Sequence, residues 1–241
     1  MNLRIGRLVN LVSLAVMGLG SITYASPITI PPNLQPGDTY RLAFVTSGTR
    51  DATSSNITDY DTFVSAAATN AGLPGTWQVI GSTNAVNAFD HIGGNFSSPI
   101  YLLDGIIIAT GSADLWDGTL TSPLSIDENG SQQINLVWTG TQQDGATLVS
   151  SPLGTLSPMI GLSWLADPNW IETPSSTFFE DHFHLYGISG VLTVPGSNDS
   201  SVPEPGTVSL MMLGGMALVG KVRNLRTRSA RGTRPSTPAH H

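Results

Sequence analysis

Ile100-Tyr101-Leu102-Leu103-Asp104-Gly105-Ile106-Ile107-Ile108-Ala109 sets two apolar runs on either side of an Asp-Gly pair. Asp-Gly between such runs is the strongest short-range hairpin signal, because a tight turn needs positive φ and glycine adopts it without penalty. The runs are nearly continuous rather than alternating, which predicts a hairpin buried on both faces. Upstream, Tyr40 to Ser47 is β-prone and reads as a strand after the Pro-rich Ile28–Gly37 segment. Gly48 to Asn56 is polar and loop-like. Tyr60, Phe63, Val64, Ala67 and Ala71 then follow the 3.6-residue helical period. Thr58 is placed to cap this helix, Asp59 and Asp61 suit its first turn, and Gly72 and Pro74 end it. Trp77–Ile80 reads as a further strand.

Downstream, Trp116-Asp117-Gly118, Asp127-Glu128-Asn129-Gly130 and Asp144-Gly145 are turns. Ile134, Leu136 and Trp138 alternate on one face of a strand, Leu162-Ser163-Trp164 is short, and Leu185 to Val194 closes the domain. Residues 195–201 are a Gly/Ser/Asn/Asp linker. One early helix with many short strands predicts an α+β domain with a mainly antiparallel sheet.

The two ends read as export signals. Arg4 and Arg7 precede an apolar run from Leu8 to Leu19, and Thr23 and Ala25 are small residues at −3 and −1. This predicts a signal peptide over 1–25, with an uncleaved anchor as the alternative. At the other end, Val202-Pro203-Glu204-Pro205 is a stiff motif in which the prolines fix φ and remove donors. An uncharged run over 207–220 follows, then Lys221, Arg223, Arg226, Arg228 and Arg231. As a helix the run covers about 21 Å, short of a hydrocarbon core of about 30 Å. Gly214-Gly215 weakens it further. It suits a transient anchor, with the basic residues held in the cytoplasm. These three parts over 202–231 resemble the PEP-CTERM sorting signal of bacterial exported proteins. The resemblance implies recognition by a membrane-embedded exosortase and cleavage near the motif. The polar tail 232–241 departs from the family, whose members stop soon after the basic cluster. An ordinary tail anchor is the alternative reading.

Charge follows the same division. Between Ser26 and Ser201 lie 16 acidic residues and only Arg41 and Arg50 as cations, a net of −14. Such a surface repels nucleic acid and anionic lipid, and favours cations or neutral polar molecules. Solubility is the plainer reading of the same charge. There is no cysteine, so disulfides, thiolate metal sites and cysteine nucleophiles are excluded.

Phe44-Val45-Thr46-Ser47, Ala109 through Asp114-Leu115-Trp116-Asp117-Gly118, Val137-Trp138-Thr139-Gly140-Thr141 with Asp144-Gly145, and Leu185-Tyr186 occur in this order. Over Tyr40–Val194 the pattern resembles a C-type-lectin-like domain of unknown function in bacterial surface proteins. The Trp-Thr-Gly-Thr block with its Asp-Gly is the most specific part. The resemblance implies a lectin-like α+β fold over 26–194, although this chain lacks the cysteines that some members use as staples.

Several constellations carry chemistry. Asp167-Pro168-Asn169 resembles the calcium- and sugar-binding Glu-Pro-Asn triplet of true C-type lectins, and its oxygens suit Ca²⁺. The Trp-Asn-Asp triplet that such lectins also need is absent, so a plain turn is preferred. Asp127–Gly130 is oxygen-rich without full EF-hand spacing. Glu180, His182 and His184 share a face if that segment is a strand, and with His91 they offer a zinc or iron set against a solvated edge. Asp114 and Asp117 are paired carboxylates whose setting reads as turn architecture. Ser163 lacks the second glycine of a nucleophile elbow. Trp116, Trp138, Trp164 and Trp170 read as core rather than a sugar platform. Asn56, Asn95, Asn129 and Asn198 begin sequons, which mark exposed loops.

The chain is therefore expected to be an exported surface or extracellular-matrix protein. Its domain is expected to be a non-enzymatic module contacting exopolysaccharide or other surface proteins, with Ca²⁺ as the one cofactor in view. A hydrolase acting on surface glycans is the alternative.

Overall fold

The computed structural model describes residues 27–196. The predicted signal peptide 1–25, the motif Val202–Pro205, the apolar run 207–220, the basic segment 221–231, the tail 232–241 and the linker beyond Gly196 lie outside the described residues.

β1 (Thr39–Val45) is the strand around which the rest assembles. Successive side chains on a strand point to opposite faces. Ala43 and Val45 enter one apolar cluster, and Tyr40, Leu42 and Phe44 enter another. A single strand thus supplies two cores, which is why the whole run Leu42–Val45 is fully buried. β3 (Ile100–Leu102) lies parallel to β1 on one side, and β7 (His184–Ser189) lies antiparallel on the other. The sheet has eight strands in the order β4-β3-β1-β7-β5-β6, where β4 is Ile107–Ala109, β5 Leu136–Trp138 and β6 Ile160–Leu162. β2 (Trp77–Val79) also pairs with β7, and β8 (Leu192–Thr193) pairs with the start of β1. Antiparallel pairs dominate as expected, but β1–β3 and β5–β7 are parallel. A parallel pair needs a crossover between its strands; the chain from β1 to β3 supplies one through α1 (Ile57–Asn70) and β2.

α1 is capped by Asn56 rather than Thr58: the Asn56 side chain accepts from Thr58 N at 3.2 Å. The helix buries Ile57, Tyr60, Val64 and Ala68 against the second cluster. Gly187 of β7 permits that approach, since a Cβ there would lie 2.6 Å from Val64 Cγ1. Asp61 leaves the predicted first-turn role. Its Oδ1 accepts from Val79 N at 2.9 Å, tying the helix to β2.

The Asp-Gly hairpin is present. Gly105 has φ +84°, its N–H donates to Leu102 O at 3.0 Å, and Leu102 N donates to Ile106 O at 2.8 Å. Ile100 and Leu102 are buried as expected, but Ile106, between the turn and the start of β4, is 48% exposed. The alternation expected at Ile134, Leu136 and Trp138 gives way likewise. Ile134 is exposed, while neighbours Val137 and Trp138 are both fully buried in opposite clusters. The closing strand breaks at Gly190, and Ser189 Oγ accepts from Leu42 N at 2.9 Å next to that break.

Candidate functional site

The carboxylates singled out from the sequence are placed mainly by backbone donors. Asp167 precedes a 3₁₀ turn, Pro168–Trp170, and its Oδ1 accepts from Asn169 N and Asn169 Nδ2, both at 3.0 Å. Asp167 and Asn169 therefore bond to each other in a capping arrangement. Asp114 Oδ2 accepts from Thr110 N and Oγ1, and Asp117 Oδ1 from Thr119 N and Oγ1, the turn roles preferred above. Asp51 holds Thr53 N and Oγ1, and those hydrogen bonds to its charged form keep its carboxyl below the usual range.

Asp127 and Glu128 are buried in a way composition does not reveal. Asp127 Oδ1 accepts from Asn129 N and Ser131 N, and its Oδ2 accepts from Gln133 Nε2 at 2.8 Å. Glu128 reaches across to the end of β1, accepting from Ser47 N at 2.7 Å and from Ser47 Oγ. Both carboxylates are thus satisfied by uncharged donors, as buried polar groups must be.

The histidines do not converge. Glu180 sits in a turn, His182 is exposed, and His184 Nδ1 lies 2.5 Å from Thr46 O. His91 pairs with Asp61, Nε2 to Oδ1 at 2.8 Å. Among the described residues no three His, Asp or Glu side chains are grouped to hold a metal ion. Ser163 is fully buried and donates to Gln133 O. Trp116, Trp138 and Trp170 are core, whereas Trp164 is 38% exposed.

Arg41, one of the two cations of the domain, is only 6% exposed. Its Nη1 donates to Ile92 O at 2.8 Å and its guanidinium lies 4.2 Å from the Phe96 ring centre. Burial lowers its pKa.

A concavity that sequence reading missed is lined by Gln142, Gln143, Asp144 and Glu172, with a volume of about 340 Å³. The Asp144-Gly145 turn was legible. Glu172 arrives from 29 residues away, where its Oε2 accepts from Gln143 N at 3.1 Å. Gly145, at φ +80°, packs where a Cβ would meet Phe89 Cβ at 2.8 Å and the Trp116 ring at 2.9 Å. The turn is thereby pressed onto a rigid aromatic base.

The class of the protein is read from its C-terminal sequence, where Val202-Pro203-Glu204-Pro205 precedes an uncharged apolar run and a basic cluster. Residues 201–228 match the PEP-CTERM protein-sorting motif, the signal by which an exosortase sorts proteins to the cell surface. No curated protein matches the chain.

Proposed function

We propose that the domain between the two export signals is a non-catalytic, C-type-lectin-like binding or structural module of the cell surface or extracellular matrix. Its partners are exopolysaccharide or neighbouring surface proteins. The run over 207–220 acts as a transient inner-membrane anchor until an exosortase cleaves near Glu204. The observation that carries this reading is the sorting motif at 201–228, which marks the chain for sorting to the cell surface. The charge of the exported part, 16 acidic residues against 2 basic, favours neutral partners over anionic ones. The mixed sheet with one long helix packed on it is compatible with a lectin-like module. Asp114 and Asp117, the carboxylates first considered for a hydrolase, are engaged in local turns, which favours binding over catalysis.

A glycan array, run beside a panel of glycosidase substrates, tests the proposal. Retention on neutral glycans without release of reducing sugar is expected. Release that disappears in Asp114→Asn or Asp117→Asn would replace this reading with the hydrolase.

A further inference from the structure

We infer that the concavity formed by Gln142, Gln143, Asp144 and Glu172 is a subsite for a neutral, hydroxyl-rich ligand, a sugar unit of a surface polysaccharide. The inference deepens the glycan-contact reading above and rests on it. Four observations carry it.

The first is the chemistry of the lining. It combines two amides, which donate and accept, with two carboxylates, which only accept. Vicinal hydroxyls need this mixture, each being donor and acceptor at once. The second is the hydrogen bonding left over. Gln143 makes no side-chain hydrogen bond among the described residues, and the residue is exposed. Asp144 uses Oδ1 for Ala146 N, and Glu172 uses Oε2 for Gln143 N, so each keeps its other oxygen. The third is rigidity. Gly145 N donates to Gln142 O at 3.0 Å, Gly145 O accepts from Phe89 N at 3.0 Å, and Gln142 Nε2 donates to Thr147 O at 3.1 Å. A Cβ at Gly118 would lie 2.7 Å from Gln143 Oε1, so the loop after Trp116 bounds the Gln143 side chain. Polar groups held in place before binding lose little entropy when a ligand arrives. The fourth is charge: two carboxylates with no cation in the lining repel an anionic sugar, and two alone are few for a divalent ion that takes six to eight oxygens.

Affinity electrophoresis of the full chain in mild detergent tests this, using native gels cast with dextran, galactomannan or the anionic carboxymethyl cellulose. Retardation by a neutral polysaccharide is expected, with none by carboxymethyl cellulose. Gln143→Ala and Glu172→Gln should each weaken it by up to about tenfold, as expected for one lost hydrogen bond. Gln143→Ala should leave the melting temperature unchanged, which separates lost binding from lost folding. Retardation that survives both variants would overturn the subsite while the glycan-contact reading stands. Absence of retardation in both neutral gels would overturn the two together. Retardation abolished by EDTA would overturn direct recognition in favour of a cation-bridged contact.

Discussion

Gly140 is a position where a single methyl group should do severe damage. It lies in the Trp-Thr-Gly-Thr block at φ +62°, a left-handed conformation that side chains disfavour by about 1–2 kcal/mol. A Cβ there would also lie 2.5 Å from Ser82 O and 2.6 Å from Leu153 N. Those two atoms are the ends of one hydrogen bond, Leu153 N to Ser82 O at 2.9 Å. The methyl group of Gly140→Ala would therefore wedge open a backbone bond between two buried loops. Displacing backbone in a packed interior costs about 1–3 kcal/mol, and losing the bond about 1 kcal/mol more. The sum, about 3–6 kcal/mol, is a large part of the roughly 5–15 kcal/mol that holds a domain folded. At about 2–4 °C per kcal/mol the melting temperature should fall by about 6–24 °C. Gly72 provides the control, because it has φ +71° but no atom within 4 Å of a Cβ. Gly72→Ala should therefore cost only the conformational part, about 1–2 kcal/mol. Thermal unfolding of both variants, followed by far-UV circular dichroism, separates strain from collision. Equal shifts for the two alanines would refute the argument, since only Gly140 has backbone in the way.

Glu128→Ala should cost about 1–2 kcal/mol by removing the carboxylate that accepts from Ser47 N and Ser47 Oγ, and hydrogen exchange at Ser47 should accelerate, whereas Glu128→Gln should restore part of the protection. Burial raises Tyr40 and Tyr186 above the usual phenol value of 10.0 and pushes Tyr60 up to about 12. The unfolded chain therefore loses these protons first, so Tyr60's contribution to stability is intact below pH 10 and lost as pH rises toward about 12. Absorbance at 295 nm should lag a free-tyrosine titration and rise together with loss of ellipticity; complete ionisation near pH 10 with the fold intact would contradict this. Calcium should raise the melting temperature no more than NaCl at equal ionic strength, because Asp167 and Asn169 bond to each other. A calcium-specific rise that Asp167→Ala removes, up to about 2.7 kcal/mol at a hundredfold excess over Kd, would instead establish a true site.

What the sequence disclosed follows from the range of each interaction. The Asp-Gly hairpin, the strand at Tyr40–Val45 and the helix through Tyr60 and Val64 are local patterns, and all three are present. The errors were of register and neighbourhood. Asn56 outranks Thr58 as cap because the helix starts two residues earlier than the apolar period suggests. Asp61, expected in the first turn, lies one turn further into the helix and serves β2 and His91, partners 18 and 30 residues away. The parallel β5–β7 pair joins segments almost fifty residues apart, which no local pattern encodes. The concavity escaped for the same reason: Asp144 was read as a turn, but Glu172 becomes its neighbour only through the long-range bond to Gln143 N. The sorting motif was fully legible because its parts are contiguous and work in sequence order.

Mass spectrometry of the protein recovered from the surface of an exosortase-bearing bacterial host tests the central claim most directly. The account predicts a mature chain that begins near Ser26 and ends close to Glu204, without the apolar run and the basic cluster. A surface-exposed chain that still carries His241 would contradict it.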